Sequence, residues 1–180
     1  SLEQLENGNV LLGVHIADVG HYVKPGTALD REAFARGTSV YLPGRVLPML
    51  PEQLCNGVCS LRPNEDKFTM TALMESDDAG RVVNERIART ITRSKARLVY
   101  DDVNALFNGS EQQQAAMAPV SNALRQMRVL AGKLRARRQA KGCIDFEIEE
   151  PNFVLDENGE PVEIITRERG EAEMMIEDFM

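Results

Sequence analysis

Residues 68–93, FTMTALMESDDAGRVVNERIARTITR, contain the pattern that decides the fold. Apolar and polar side chains alternate from Phe68 through Thr69, Met70 and Thr71, which is typical of a β-strand lying at a surface. The sequence Asp-Asp-Ala-Gly at positions 77–80 predicts a tight turn, and residues 86–93 alternate again. We therefore predict a long antiparallel β-hairpin with one wet face, to which the two polar threonines contribute.

Further strands and a helix are predicted before this hairpin. The apolar run at residues 10–17 predicts a strand. A short helix is expected after Thr27, whose hydroxyl suits an N-cap, and it should end at Gly37. A short strand is predicted at residues 39–42. The three prolines between residues 43 and 51 predict an irregular segment, because proline cannot donate a hydrogen bond to a strand ladder.

The second half of the chain is predicted to be mostly helical, with hairpins near its end. A helix is expected at residues 99–109 and a longer one from Pro119 to Gly142. A strand at 144–148, a hairpin of residues 152–155 and 162–166, and an amphipathic helix over 171–180 should follow. The order of elements lacks regular βαβ alternation. We therefore predict an α+β fold, with mixed and antiparallel strands, hairpins and packed helices.

Composition excludes several classes of protein. The chain has 180 residues, of which 43% are hydrophobic and 27% charged, so it is neither disordered nor fibrous. It contains no apolar run of about 20 residues, the length that crosses a bilayer, so no membrane association is expected. Three cysteines are too few for a disulfide scaffold and suit a reducing compartment, which predicts a cytoplasmic protein.

Both ends of the sequence have an unusual form. The chain lacks an initiator methionine and enters a strand-like run almost at once. The helix predicted at its other end has no glycine, asparagine or basic last turn to stop it. We expect residues 1–180 to be a piece of a longer polypeptide, truncated at both ends.

Several residue clusters could bind a metal ion. His15, Asp18 and His21 would converge only if the chain bends near Asp18, and the alternative is strand-end packing with a hydrogen-bonded turn. Structural zinc sites usually have paired thiols at a tighter spacing than Cys55 and Cys59, and four ligands in all. The sequence therefore favours free buried thiols. Other acidic pairs have structural alternatives: a turn, a helix N-terminus and a solvated helix face. These are Asp77 with Asp78, Asp101 with Asp102, and Glu173 with Glu177.

Charge segregation and scarce aromatic residues offer a second kind of candidate site. The net charge is −7, which argues against non-specific adhesion to nucleic acid. The long helix nevertheless has a basic face, which could follow a phosphate backbone or simply be solvated. Its basic residues are Arg125, Arg128, Lys133, Arg135, Arg137, Arg138 and Lys141. The aromatic rings of Tyr41, Tyr100 and Phe146 could stack on bases of single-stranded RNA, or belong to the core.

Five segments, in the same order, resemble a known family. They are GVHIADVGHYV at 13–23, SVYLPGRVLPMLP at 39–51, LCNGVCSL at 54–61, KARLVYD at 95–101 and MIEDFM at 175–180. Together they resemble the RNB catalytic domain of the ribonuclease II and ribonuclease R family, and the ribonuclease R branch more closely. The resemblance makes residues 1–180 part of such a domain.

The resemblance implies processive 3′→5′ hydrolysis of single-stranded RNA to nucleoside 5′-monophosphates, with Mg²⁺ activating water. Tyr41 matches a tyrosine that holds the 3′-terminal nucleotide. Tyr100 and Phe146 match positions whose rings stack on the last bases. Glu177 matches a glutamate that contacts the terminal nucleotide, through the ribose hydroxyls that distinguish RNA from DNA. The sequence identifies no protein partner.

The family's metal ligands are absent from residues 1–180. They are four aspartates in the pattern Asp-x5-Asp-x-Asp-Asp, located just before the strand that begins here, and Asp77-Asp78 lies on the wrong side of that strand. We therefore predict no metal ligand in this chain and no ribonuclease activity of the chain alone. Two alternatives are a catalytically inactive homologue that binds RNA or acts as a scaffold, and an interaction module whose basic helix binds an acidic protein.

Overall fold

The computed structural model describes residues 1–144 and 150–180. Its strands are β1 (Leu2–Gln4), β2 (Val10–Ala17), β3 (Val40–Leu42), β4 (Arg45–Leu47), β5 (Asp66–Ser76), β6 (Val82–Arg93), β7 (Glu150–Leu155) and β8 (Pro161–Arg167). Its helices are α1 (Val19–Tyr22), α2 (Ala28–Arg36), α3 (Tyr100–Phe107), α4 (Glu111–Ala116), α5 (Ala118–Ala140) and α6 (Glu171–Phe179), and a π-helical segment spans Gln53–Val58. The predicted α+β class with antiparallel strands is confirmed.

The predicted hairpin is the centre of the main sheet. The four strands lie in the order β1-β2-β5-β6, and every neighbouring pair is antiparallel. The turn between β5 and β6 is closed by Asp77, whose carboxylate accepts the Arg81 N–H at 2.8 Å. Gly80 has a φ of +70°, a conformation that glycine adopts without strain. The turn residues therefore act as the sequence predicts.

The wet face of this hairpin is the opposite of the one expected. Thr69 and Thr71 are buried, with 0% and 1% of their surfaces exposed, whereas Phe68 is 42% exposed. The Thr69 hydroxyl lies 2.7 Å from those of both Thr90 and Thr92 on β6. Since the hydroxyls satisfy one another, burying them carries little penalty. Alternation predicted the strands correctly and the buried side wrongly.

The apolar core lies between helices α3, α5 and α6. Leu106 of α3 and Leu124 of α5 are buried in it together with Ala172 and Met175 of α6. Ala172 and Met175 are two of the residues that helical spacing places on the apolar face of α6, so the predicted amphipathic helix is confirmed. Helix α4 was not predicted, and it begins where the Ser110 hydroxyl accepts the Gln113 N–H.

The segment at residues 43–51, predicted to be irregular, is so only in part: it contains strand β4, and residues 48–51 have no regular secondary structure. Strands β3 and β4 form a short antiparallel hairpin in which Tyr41 faces Val46. Pro43 lies in the turn, next to Gly44 with its φ of +69°, and Pro48 lies beyond β4. The prolines therefore occupy positions where no ladder hydrogen bond is required of them.

Helix α2 and the β7–β8 hairpin match their predictions. Thr27 accepts the Asp30 N–H, and Gly37 ends α2 in a left-handed conformation. Asp156 closes the turn of β7 and β8 by accepting the N–H groups of Asn158 and Glu160. The strand predicted at 144–148 falls almost wholly outside the described residues. Among the helices that the structure describes, none is long and apolar enough to cross a bilayer.

Candidate functional site

Tyr41 extends into solvent from a short hairpin whose base is fixed. Its surface is 77% exposed. The Ser39 hydroxyl accepts the Met49 N–H at 2.9 Å and closes the hairpin below the ring. A Cβ atom at Gly44, in the hairpin turn, would come within 3.2 Å of Leu155 on β7, so the two small hairpins are in contact. The Tyr41 ring is therefore exposed to solvent, on a hairpin that is held by a hydrogen bond at its base and by contact with the β7–β8 hairpin.

Tyr100 lies in a large cavity between the sheet and the helices. It is the first residue of α3 and lines a space of about 740 Å³. The walls are mainly apolar, from Leu12 on β2, Leu124 on α5 and Met175 on α6, and Thr92 is one of their polar residues. A cavity of this size with an aromatic ring at its wall can accommodate an organic ligand.

Glu177 lies on α6 at a second, smaller cavity of about 200 Å³. Arg169 donates a hydrogen bond to its carboxylate at 3.1 Å. Arg135 and Arg138 from α5 line the same cavity, together with Asp178. The space therefore contains three guanidinium groups and two carboxylates, which is suited to a polar or charged ligand.

The predicted site residues occupy different parts of the molecule. Tyr100 and Glu177 lie on helices α3 and α6, which pack together, but each lines its own cavity. Tyr41 lies on the β3–β4 hairpin and is not among the residues that line either of these two cavities. Phe146 lies outside the described residues. The structure shows that Tyr41 is exposed and that Tyr100 and Glu177 each line a cavity.

The basic face of α5 is used largely to hold the fold together. Lys133 Nζ lies 2.8 Å from Asp78 in the turn of the long hairpin. Arg128 pairs with Glu171, and its guanidinium lies 4.9 Å from the centre of the Phe107 ring. Of the seven basic residues, five have a side-chain partner in the described part of the chain: Arg125 on Gln114, Arg128 on Glu171, Lys133 on Asp78, and Arg135 and Arg138 on Asp178. Most of this face is therefore engaged by other parts of the chain.

His15 belongs to the buried threonine network. Its Nδ1 atom lies 2.9 Å from the Thr71 hydroxyl and 3.3 Å from that of Thr92, and its Nε2 atom lies 2.8 Å from the Ser1 hydroxyl. Burial lowers the pKa of His15, and the nearby amino-terminal charge lowers it further. Both ring nitrogens therefore have partners within the sheet, which leaves the ring without a role as a metal ligand.

Asp18 and His21 form a local turn. The Asp18 carboxylate is buried, accepts the His21 N–H at 3.1 Å and lies 3.5 Å from Arg89 of β6. The His21 ring packs on Phe68, with their centroids 4.4 Å apart. Strand-end packing and a hydrogen-bonded turn therefore explain these residues. In the described ranges no group of three His, Cys, Asp or Glu side chains is arranged to hold a metal ion.

The remaining candidates also have structural roles. Cys55 and Cys59 are free, partly buried thiols, and burial raises the pKa of Cys59. A hydrogen bond from the backbone of Arg81 lowers the pKa of Asp77, as expected of a turn residue. Asp102 accepts a hydrogen bond from Gln113 at 2.9 Å, which ties α3 to α4.

The family model described as "RNB domain" matches residues 1–180. The chain belongs to the RNB family. Because the match spans every residue, the five segments that suggested the family belong to one continuous similarity, and the predicted resemblance is confirmed.

Two relatives place this RNB chain in the ribonuclease R branch. It is 48% identical over 181 residues to ribonuclease R of Thermotoga maritima, covering 100% of this chain and 25% of that protein. It is 46% identical over 178 residues to ribonuclease R 1 of Lactococcus lactis, covering 99% and 22%. The chain therefore spans about a quarter of the length of these relatives.

A solved structure has the same fold as the RNB chain. Mycoplasma genitalium RNase R in complex with ribose methylated single-stranded RNA superposes with a TM-score of 0.88 at 34% identity. The match covers 99% of this chain and 28% of that one. The likeness therefore extends over the sheet, the hairpins and the helices.

Two residues that contact the ends of α6 escaped the sequence reasoning. Asp178 lies on the buried face of α6 beside Met175, and Asn104 lies on α3 facing the start of α6. An acid at a position that helical spacing assigns to the apolar face was a usable signal, because a buried carboxylate requires a cationic partner. No comparable signal marked Asn104.

Proposed function

We propose that residues 1–180 are part of the RNB catalytic domain of a longer 3′→5′ exoribonuclease. The full protein would hydrolyse single-stranded RNA processively to nucleoside 5′-monophosphates with Mg²⁺. One observation carries this proposal: the RNB match covers the whole chain, while the chain covers about a quarter of its ribonuclease R relatives. The unpaired cysteines fit a cytoplasmic enzyme.

The chain's share of the reaction is to hold the 3′ end of the RNA. The Tyr41 ring would lie against the terminal nucleotide, and Tyr100 and Phe146 would stack on neighbouring bases. The Glu177 carboxylate would accept hydrogen bonds from the terminal ribose hydroxyls, which DNA has only in part. The exposure of Tyr41 and the positions of Tyr100 and Glu177 at cavities support these roles.

The described residues do not fit a Mg²⁺ site. The two buried aspartates, Asp18 and Asp178, are each engaged by arginine, and the described ranges hold no cluster of three potential ligands. Carboxylates that bind Mg²⁺ must direct free oxygens towards the ion. From the family pattern, whose four aspartates come before the strand that begins this chain, we place the metal ligands outside residues 1–180, and no catalytic step is assigned to the side chains described here.

Replacing Tyr41 by alanine tests the proposal. In the full protein we expect Tyr41→Ala to change the length of the shortest product that remains after exhaustive digestion of a 5′-labelled RNA. The physical reason is that short products are held mainly by contacts at the 3′ end, where a lost stack costs about 1–3 kcal/mol. Denaturing gel electrophoresis measures the product length.

Phe34→Ala is the matched control, because Phe34 is also an exposed aromatic residue, on helix α2, with 89% of its surface exposed. Its product length should equal that of the unaltered protein. An unchanged product for Tyr41→Ala would contradict the role given to Tyr41. A full protein that binds RNA 3′ ends and releases no nucleotides would instead favour the inactive RNA-binding homologue.

A further inference from the structure

Helix α6, which carries Glu177, is fixed at its start by α3 and α5. Asn104 Oδ1 accepts the Ala172 N–H at 2.8 Å, and its amide donates to Glu173 at 2.9 Å. A Cβ atom at Gly170 would clash with the side-chain amide of Asn104, so glycine allows α3 to approach this closely. At the same end Arg128 pairs with Glu171.

The other end of α6 is fixed by Asp178. Its carboxylate has a side-chain exposure of only 1%. Arg135 Nη2 donates to Oδ2 at 2.6 Å, and Arg138 Nη2 donates to Oδ1. The two arginines are three residues apart on α5, so they lie on one face of that helix, one turn from each other. Each carboxylate oxygen thus has its own guanidinium.

In this arrangement Asp178 does not bind a ligand directly. Both of its oxygens are engaged by α5, and a buried carboxylate that loses such partners is strongly destabilised. The next residue in the chain, Glu177, has about half of its side chain exposed and lines the cavity of about 200 Å³. Because the two residues are consecutive on one helix, the backbone position of Glu177 is determined by the contacts of Asp178.

We infer that Asp178 is a positioning residue, which holds the Glu177 carboxylate at the RNA 3′ end by binding Arg135 and Arg138. This inference rests on the proposed function of Glu177. It differs from a purely structural role, because it predicts that losing Asp178 changes which 3′-terminal sugar the enzyme accepts. A structural ion pair would affect stability alone.

The test compares two RNA substrates in the full protein, one ending in a ribonucleotide and one ending in a 2′-deoxynucleotide. The measured quantity is the ratio of their kcat/KM values. We expect Glu177→Gln to reduce this preference about tenfold, the loss that follows from weakening one charged hydrogen bond. Asp178→Asn should reduce it to a similar extent. The double variant should lose no more than either single one, since both act through the same carboxylate.

Glu171→Gln is the matched control, because it removes an ion pair between α5 and the opposite end of α6. It should lower the thermal midpoint and leave the substrate ratio unchanged. Arg138→Gln, which leaves Asp178 one guanidinium, should give an intermediate ratio, and this variant decides the matter if Asp178→Asn does not fold.

These outcomes distinguish a failure of the inference about Asp178 from a failure of the proposed role of Glu177. If Glu177→Gln keeps the full preference, the proposed role of Glu177 is wrong and the inference falls with it. If Glu177→Gln loses the preference while Asp178→Asn and Arg138→Gln keep it, only the inference is overturned. An equal loss in the Glu171→Gln control would also overturn it, by showing a general effect of loosening α6.

Discussion

The sheet and the helical layer of this chain bury opposite kinds of side chain. On the hairpin of β5 and β6 the inner face contains hydroxyl groups, whereas Ile87 on the other face is 75% exposed. Between α3, α5 and α6 the interior is apolar, and charged pairs such as Arg135 with Asp178 close its edge. Neutral hydrogen bonds therefore organise one region, and hydrophobic burial with ion pairs organises the other.

This difference should appear in how each region responds to substitution. The helical layer should lose most stability when volume is removed, because apolar burial holds it. The sheet should be sensitive to the loss of hydroxyl groups and insensitive to truncation of its exposed apolar side chains.

The largest effect is expected for Leu106→Ala. Leu106 has 1% of its surface exposed at the centre of the helical core. Creating a cavity there should lower the free energy of unfolding by about 2–5 kcal/mol. Urea denaturation of the 180-residue chain, followed by circular dichroism, measures this. The matched control is Ile87→Ala, for which a change within about 0.5 kcal/mol is expected. Equal losses would refute the contrast between the two regions.

A smaller effect is expected for Thr69→Val in the sheet. Valine has almost the same shape, but it removes the hydroxyl that contacts Thr90 and Thr92. Since those partners keep other contacts, the loss should be about 1–2 kcal/mol in the same urea experiment. Thr38→Val, at an exposed position, is the control and should be close to neutral. A stabilised Thr69→Val protein would show that the threonine network is not a source of stability.

The smallest effect concerns pH. The pKa of His15 is lowered in the fold, so the unfolded chain binds its proton more readily than the folded one does. The contribution of His15 to the stability should therefore be constant well above about pH 6.5, the ordinary pKa of histidine, and should decrease as pH falls below it. His15→Gln should remove this part of the slope between pH 7.5 and 5.5. A variant with the original slope would assign the pH dependence to other groups.

Sequence patterns predicted the strands and helices better than the side-chain contacts between them. Alternation at 68–93 and helical spacing in α6 are local properties, so both elements were correctly predicted. The side of the hairpin that is buried depends on which hydroxyls meet across strands, as Thr69 and Thr90 do. That information is not contained in a local pattern. The prediction of an irregular segment missed β4 for a similar reason, since Pro43 falls in the turn that joins β3 to β4.

The candidate site was only partly accessible from sequence. Tyr41, Tyr100 and Glu177 were found through resemblance, and the structure adds their exposure and the cavities at two of them. The position of Asp178 on the apolar face of α6 was a usable signal, but its partners Arg135 and Arg138 were not predictable, because they are about 40 residues away in the chain. The basic helix was misleading for the same reason: Arg128, Lys133, Arg135 and Arg138 pair with carboxylates that are distant in sequence.

The most direct test of the central claim compares the 180-residue chain with the full protein that contains it. Both would be incubated with a 5′-labelled single-stranded RNA and Mg²⁺, and released nucleotides would be measured by chromatography. We predict nucleoside 5′-monophosphates from the full protein and none from residues 1–180, because the proposed function assigns the RNA 3′ end to this chain and the metal ligands to another part of the protein. Release of nucleotides by the 180-residue chain alone, or none by the full protein, would contradict it.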